Sequence, residues 1–80
     1  MSALERLARA VRESRGLLHQ RNLDVLRNYI KTTPEEMLIQ QINQITDIDL
    51  MRTLWEAGLN KTLQQAVLRR YEELTRRRVT

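Results

Sequence analysis

Residues 33–60 read TPEEMLIQQINQITDIDLMRTLWEAGLN and contain the clearest helix boundaries in the chain. Thr33 stands where an N-cap is expected, Pro34 fits the first helical position, and Glu36 completes a capping box. A helix is therefore predicted over residues 33–45. Its apolar positions recur at helical spacing and are Leu38, Ile39, Ile42 and Ile45.

A second helix is predicted over residues 46–58, directly after the first. Thr46 and Asp47 provide an N-terminal cap with acids in the first turn, and Gly58 fits the residue that ends many helices. Apolar residues cover about half of its circumference, so we expect this helix to be the most buried. They are Ile48, Leu50, Met51, Leu54, Trp55 and Ala57, which leaves Asp49, Arg52, Thr53 and Glu56 on the polar face.

The last helix is predicted over residues 60–77, with Asn60 as its N-cap and a basic C-terminal end. Two positions break its pattern, because Arg70 falls within the apolar face and Leu68 falls among polar residues. Arg70 is expected to snorkel, to pair with an acid such as Glu73, or to meet a polar partner. The apolar face consists of Leu63, Ala66, Val67, Tyr71 and Leu74.

Residues 1–31 form a basic helical segment whose apolar stripe begins with Leu4, Leu7, Ala8 and Val11. The stripe keeps its phase through Leu18, Val25, Leu26 and Tyr29, so one long helix or two shorter ones would fit. We favour a break between Ser14 and Asn22, in which Gly16 follows the end of one helix and Asn22 caps the next.

These segments predict an all-α fold, a small bundle of four to five short antiparallel helices with minimal loops in a single domain over residues 1–80. The chain has two Gly, one Pro and no Phe, a composition that disfavours strands and tight hairpins. A domain of this size buries only about 60–65% of its unfolded surface, so a second copy would add useful burial. We therefore expect a homodimer.

Composition excludes most catalytic chemistry. The chain has no Cys and a single His, His19, so we expect no metal site, no cofactor, no small-molecule substrate and no enzymatic activity. The longest apolar run has three residues, and the start of the chain has no apolar signal region, so no membrane association is expected. Without disulfides the protein is predicted to be cytoplasmic.

Charge is distributed unevenly along this arginine-rich chain, whose net charge is +4. Residues 1–31 carry seven basic and three acidic side chains, residues 32–60 carry one and five, and residues 61–80 carry six and two, giving +4, −4 and +4. The acidic middle is expected to lie between the basic ends within one molecule, or to meet the ends of another molecule.

The preferred functional hypothesis is a protein-protein interaction module that binds a protein partner, or itself, through amphipathic and charged helix faces. The first basic helix and the last helix are its candidate surfaces. The interface candidates are Leu68, Arg70, Tyr71 and Trp55, although the helical pattern also fits core positions for Trp55 and Tyr71.

The alternative hypothesis is a small basic protein that binds DNA or RNA. Residues 50–67, with Gly58 in a turn before a new helix, resemble the helix-turn-helix family, although Leu54 and Gln64 depart from its pattern. The resemblance implies a second helix that lies in a major groove with arginines near phosphates. The candidate contacts are Lys61, Thr62, Gln65, Arg69, Arg76, Arg77 and Arg78.

Overall fold

A computed structural model describes the backbone of residues 2–79 and the side chains of residues 2–76. Within this range the chain forms five helices and no strand. They are α1 (Ala3–Glu13), α2 (Gly16–Thr32), α3 (Glu35–Gln44), α4 (Ile48–Ala57) and α5 (Lys61–Val79). Segments of two or three residues join consecutive helices, and the predicted all-α bundle is confirmed.

The core draws on all five helices and consists of aliphatic side chains together with Met51. Five of the ten residues of α4 are buried, a larger share than in α1, α2 or α3 or among the described side chains of α5, so the prediction that this helix is the most buried is confirmed. The buried apolar residues are Leu4, Ala8, Val11, Leu26, Leu38, Ile42, Ile45, Leu50, Met51, Leu54, Ala57, Leu63, Val67 and Leu74.

The basic segment at the start of the chain is two helices. The break falls at Ser14 and Arg15, and Gly16 opens α2 with a φ of +64°, so the predicted cap at Asn22 is wrong. The two-residue break rotates the buried face of α2 relative to that of α1, because residues on either side of the break no longer follow one helical phase. Leu18 and Val25, predicted to continue the apolar stripe, are therefore exposed.

The predicted capping box before α3 is also not formed. Thr33 ends α2 instead, since its backbone N–H donates to the carbonyl of Tyr29 at 3.0 Å. Pro34 is the N-cap of α3 without a side-chain hydrogen bond, and the helix runs over Glu35–Gln44, within the predicted range 33–45. Proline still marks the boundary, because its fixed φ suits a helix start.

The two caps around α4 and α5 involve side chains. Asp47, rather than Thr46, caps α4 and accepts from the backbone N–H of Asp49 at 3.0 Å. Asn60 caps α5 as predicted, because its Oδ1 accepts from the N–H of Leu63 at 2.9 Å. Gly58 ends α4 with a φ of +95°, a conformation that favours glycine. Beyond residue 77, the predicted end, α5 continues to Val79.

Two assignments on α4 are wrong. Thr53, predicted to lie on the polar face, is buried, and Trp55, predicted to lie on the apolar face, is 45% exposed. The buried side of α4 is centred on Leu50, Leu54 and Ala57, so Thr53 lies at one edge of it and Trp55 beyond the other.

Over residues 2–79 no helix has both the length and the apolar character needed to cross a bilayer.

Candidate functional site

An open depression lies between α4 and α5 and has a volume of about 210 Å³. Three large apolar side chains line it while staying exposed: Trp55 at 45%, Leu68 at 48% and Tyr71 at 38%. We call this depression the α4–α5 groove. Its lining residues are Met51, Arg52, Trp55, Val67, Leu68 and Tyr71.

Helical spacing explains why these side chains converge. On α4, Trp55 lies one turn after Met51, and on α5, Tyr71 lies one turn after Val67. Met51 and Val67 are buried, whereas Trp55 and Tyr71 are not, so the groove has a buried apolar floor and exposed walls. The prediction that Tyr71 belongs to the inner face of the last helix is therefore wrong. That face is centred nearer Arg70, and Tyr71 lies at its edge.

Charges of opposite sign border the groove on its two helices. Arg52 of α4 is exposed and belongs to the lining. Glu72 of α5 is exposed and lies one turn after Leu68, on the same side of the helix. Neither side chain forms an ion pair with another side chain among residues 2–76. Both charges are therefore available to a partner that covers the groove.

Arg70, the fourth interface candidate, lies outside the groove. Its residue exposure is 9%, its Nε donates to the carbonyl oxygen of Ile45 at 2.9 Å, and its Nη1 lies 3.2 Å from Oε2 of Glu73. The ion pair with Glu73 is one of the arrangements predicted for a basic residue in an apolar face. Because its Nε and Nη1 are engaged within the chain and it does not line the groove, Arg70 is not part of the candidate binding surface.

The residues predicted to contact nucleic acid share one exposed face of α5, apart from two that lie outside the described side chains, Arg77 and Arg78. Acidic groups border this face. Glu72 lies within it, and Oε2 of Glu35 accepts from Nδ2 of Asn60 at 3.2 Å, beside the N-terminus of α5. Such carboxylates oppose the approach of phosphates. The exposed candidates are Lys61, Thr62, Gln65, Arg69 and Arg76.

The first basic helix, predicted as a candidate surface, contributes its apolar side to the core. In its last turn Arg12 pairs with Asp47 at 3.0 Å, which joins the basic start of the chain to its acidic middle. The exposed apolar residues of the basic segment lie on α2 instead, where Leu17 is 91% exposed. They are Leu17, Leu18 and Val25.

A second depression lies between α1, α2 and α4, with a volume of about 340 Å³. His19 lines it, but its Nδ1 donates to the carbonyl oxygen of Val11 at 2.9 Å, which fixes the ring to the end of α1. Arg12 also lines it and is held by Asp47. No cluster of three potential metal-binding side chains exists among the described residues.

No protein-family model, curated protein or solved structure matches the chain. The function of the α4–α5 groove is therefore inferred from its geometry and its charges. Sequence reasoning found Trp55, Leu68 and Tyr71 but missed Met51, Arg52 and Val67. The available signal was their spacing, since Arg52 lies one turn before Trp55 and Val67 one turn before Tyr71.

Proposed function

We propose that this chain is a small, non-enzymatic protein-interaction module that binds a protein partner through the α4–α5 groove. The observation that carries the proposal is the convergence of Trp55, Leu68 and Tyr71 on one depression while each remains more than a third exposed. Single exposed apolar residues are common on protein surfaces, whereas a cluster of them is typical of a binding surface.

The size of the groove favours a protein side chain over a free small molecule. Its volume of about 210 Å³ is below the roughly 300–1,000 Å³ of most small-ligand pockets. An apolar side chain on the face of a partner helix suits a depression between two helices. Tryptophan and tyrosine are also among the residues that most often anchor protein interfaces. We expect Trp55 and Tyr71 to supply most of the binding energy.

Site-specific photo-crosslinking in cells tests this proposal. A benzophenone-bearing amino acid replaces Leu68 in the groove, and in a matched control it replaces Leu17, an even more exposed leucine on α2. We expect crosslinked protein adducts from position 68 and far fewer from position 17. The adduct mass separates a second copy of the chain from another protein. Absence of adducts from position 68, or equal adducts from both positions, would contradict the proposal.

We expect the chain, and with it the partner, to be cytoplasmic, because the chain has no cysteine and therefore no disulfide suited to an oxidising compartment. This compartment follows from composition alone. Microscopy of the tagged chain, with the tag at either end, tests it, and a tagged chain found outside the cytoplasm would contradict it.

DNA or RNA binding is the alternative proposal, and the exposed basic face of α5 supports it. Binding through this face would weaken steeply with salt, and replacing Arg69 or Arg76 by Ala would each lower the salt slope by about one unit. The acidic groups of Glu35 and Glu72 at this face favour the protein partner instead. Absence of duplex or single-strand binding at low ionic strength would reject the alternative.

A further inference from the structure

The α4–α5 groove has the features that a symmetric interface between two identical chains requires. In a two-fold dimer the same patch meets itself, so the patch must be complementary to its own rotated copy. Here a depression lies beside exposed Trp55, and Arg52 of α4 lines it. Exposed Glu72 of α5 lies one turn after the lining residue Leu68. A patch of this kind offers each copy both a projection and a recess, and both signs of charge.

The placement of Arg52 and Glu72 determines how two copies would pair. Arg52 belongs to α4 and Glu72 belongs to α5, and the three residues between these helices make them neighbours in space. A two-fold axis that runs along the groove lays α4 of one copy over α5 of the other, and both residues lie toward the end of the groove away from the connecting residues 58–60. Each Arg52 then faces a Glu72 of the other copy, and the symmetry forms this ion pair twice.

We infer that the occupant of the α4–α5 groove is the same groove of a second copy of this chain. The inference rests on the proposed function of the groove. In the resulting dimer Trp55 of each copy packs on apolar lining residues of the other, and two ion pairs between Arg52 and Glu72 flank the apolar contact. The exposed apolar walls become buried, which adds to the small core of each copy.

The apolar face of α2 is less suited to such a dimer. Arg21 lies between Leu18 and Val25 on this face. A symmetric antiparallel pairing that sets Leu18 against Val25 of the other copy places the two Arg21 side chains together at the axis. Like charges brought together in this way oppose association. The second copy is therefore assigned to the groove, where charges of opposite sign meet.

Charge reversal tests this dimer, because association that is weakened in each of two variants should recover when the two variants are mixed. In Arg52→Glu the interface brings two glutamates together on each side, and in Glu72→Arg it brings two arginines together. Each variant alone is expected to dissociate about tenfold more readily than the wild type. An equimolar mixture of the two variants restores both ion pairs, so its association returns to the wild-type level. Sedimentation equilibrium of the full chain measures all three samples.

Matched controls are Arg21→Glu and Glu36→Arg, which reverse exposed charges on α2 and α3. Neither control is expected to weaken association. All four substituted side chains are exposed, so each variant is expected to keep the helical circular dichroism of the wild type. Leu68→Glu gives a second, apolar test and is expected to produce a monomer, whereas Leu17→Glu leaves the dimer intact.

Several outcomes would overturn the inference. These are a monomeric wild type at millimolar concentration, a dimer that the charge variants do not weaken, a mixture that does not recover, and a dimer broken by Leu18→Glu but not by Leu68→Glu. The proposed function is tested separately, by the crosslinking experiment at position 68. Adducts from position 68 to a different protein would support the interaction module even where the chain itself stays monomeric.

Discussion

The guanidinium of Arg70 on α5 caps the C-terminal end of α3, because its Nε donates to the carbonyl oxygen of the C-cap residue Ile45 at 2.9 Å. Helix C-termini carry carbonyls without a helical partner and a partial negative charge. Side chains of α2 bond to the C-terminal ends of α4 and α1 in a similar way. Nε of Arg27 donates to the carbonyl oxygen of Ala57 at 2.8 Å, and Nδ1 of His19 donates to that of Val11 at 2.9 Å. In each case a polar side chain of one helix satisfies a carbonyl at the C-terminal end of another helix.

Replacing Arg70 by Ala is expected to lower the free energy of unfolding by about 1–3 kcal/mol, since it leaves the Ile45 carbonyl without its donor. The adjacent Arg69→Ala removes an exposed side chain of the same kind and should stay within about 0.5 kcal/mol of the wild type. Urea unfolding followed by circular dichroism measures both. Equal losses for the two variants would show that the buried hydrogen bond contributes nothing.

The two N-caps predicted from the sequence, Thr33 and Asn60, give a second comparison. Asn60→Ala should cost about 1 kcal/mol, because Oδ1 of Asn60 satisfies the N–H of Leu63 at the start of α5. Thr33→Ala should stay within about 0.5 kcal/mol, since no side-chain cap is formed there. Thermal unfolding of both variants tests the pair. A larger loss for Thr33→Ala would mean that the sequence-predicted capping box exists.

Gly58→Ala is expected to destabilise the chain by about 1–3 kcal/mol through backbone strain alone. The φ of Gly58 is +95°, whereas nothing lies within 4 Å of the position that an added Cβ would take. The control is Glu56→Ala, an exposed change one residue before the end of α4, which introduces no such strain and should stay within about 0.5 kcal/mol of the wild type. Urea unfolding measures both variants, and a neutral Gly58→Ala would contradict the strained turn.

Groove and core residues of α5 should respond differently to substitution. Leu68→Glu changes a half-exposed side chain and should alter the free energy of unfolding of the separated monomer by no more than about 0.5 kcal/mol. Leu63→Ala, at a buried position, should cost about 2–5 kcal/mol. Denaturant unfolding at low protein concentration makes the comparison. A large loss for Leu68→Glu would mean that the groove serves the fold rather than binding.

Local sequence signals predicted the helices but not all of their orientations. Pro34, Gly58 and Asn60 mark boundaries through backbone geometry and capping, which depend on a few adjacent residues. The inner face of α2 was not predictable in the same way. Ser14 and Arg15 interrupt the helical phase, and the new phase depends on how Leu26 packs against the rest of the core.

The groove was predicted only in part for a related reason. Helical periodicity identified Leu68 as exposed, but it assigned Trp55 and Tyr71 to apolar faces because it weighs apolar character alone. Which of several apolar residues enters a small core depends on the rotation of each helix against its neighbours. Here Thr53 and Arg70 occupy buried positions, and Trp55 and Tyr71 lie at the surface.

Trp55, the single tryptophan of the chain, lines the groove and reports whether the groove is covered when the chain associates. Acrylamide quenching of its fluorescence is measured while protein concentration is raised and the mass is followed by light scattering. If the groove is the surface of association, the quenching constant falls as the mass doubles, because Trp55 becomes covered. A mass that doubles while the quenching constant stays unchanged would show that the chain associates through a surface other than the groove.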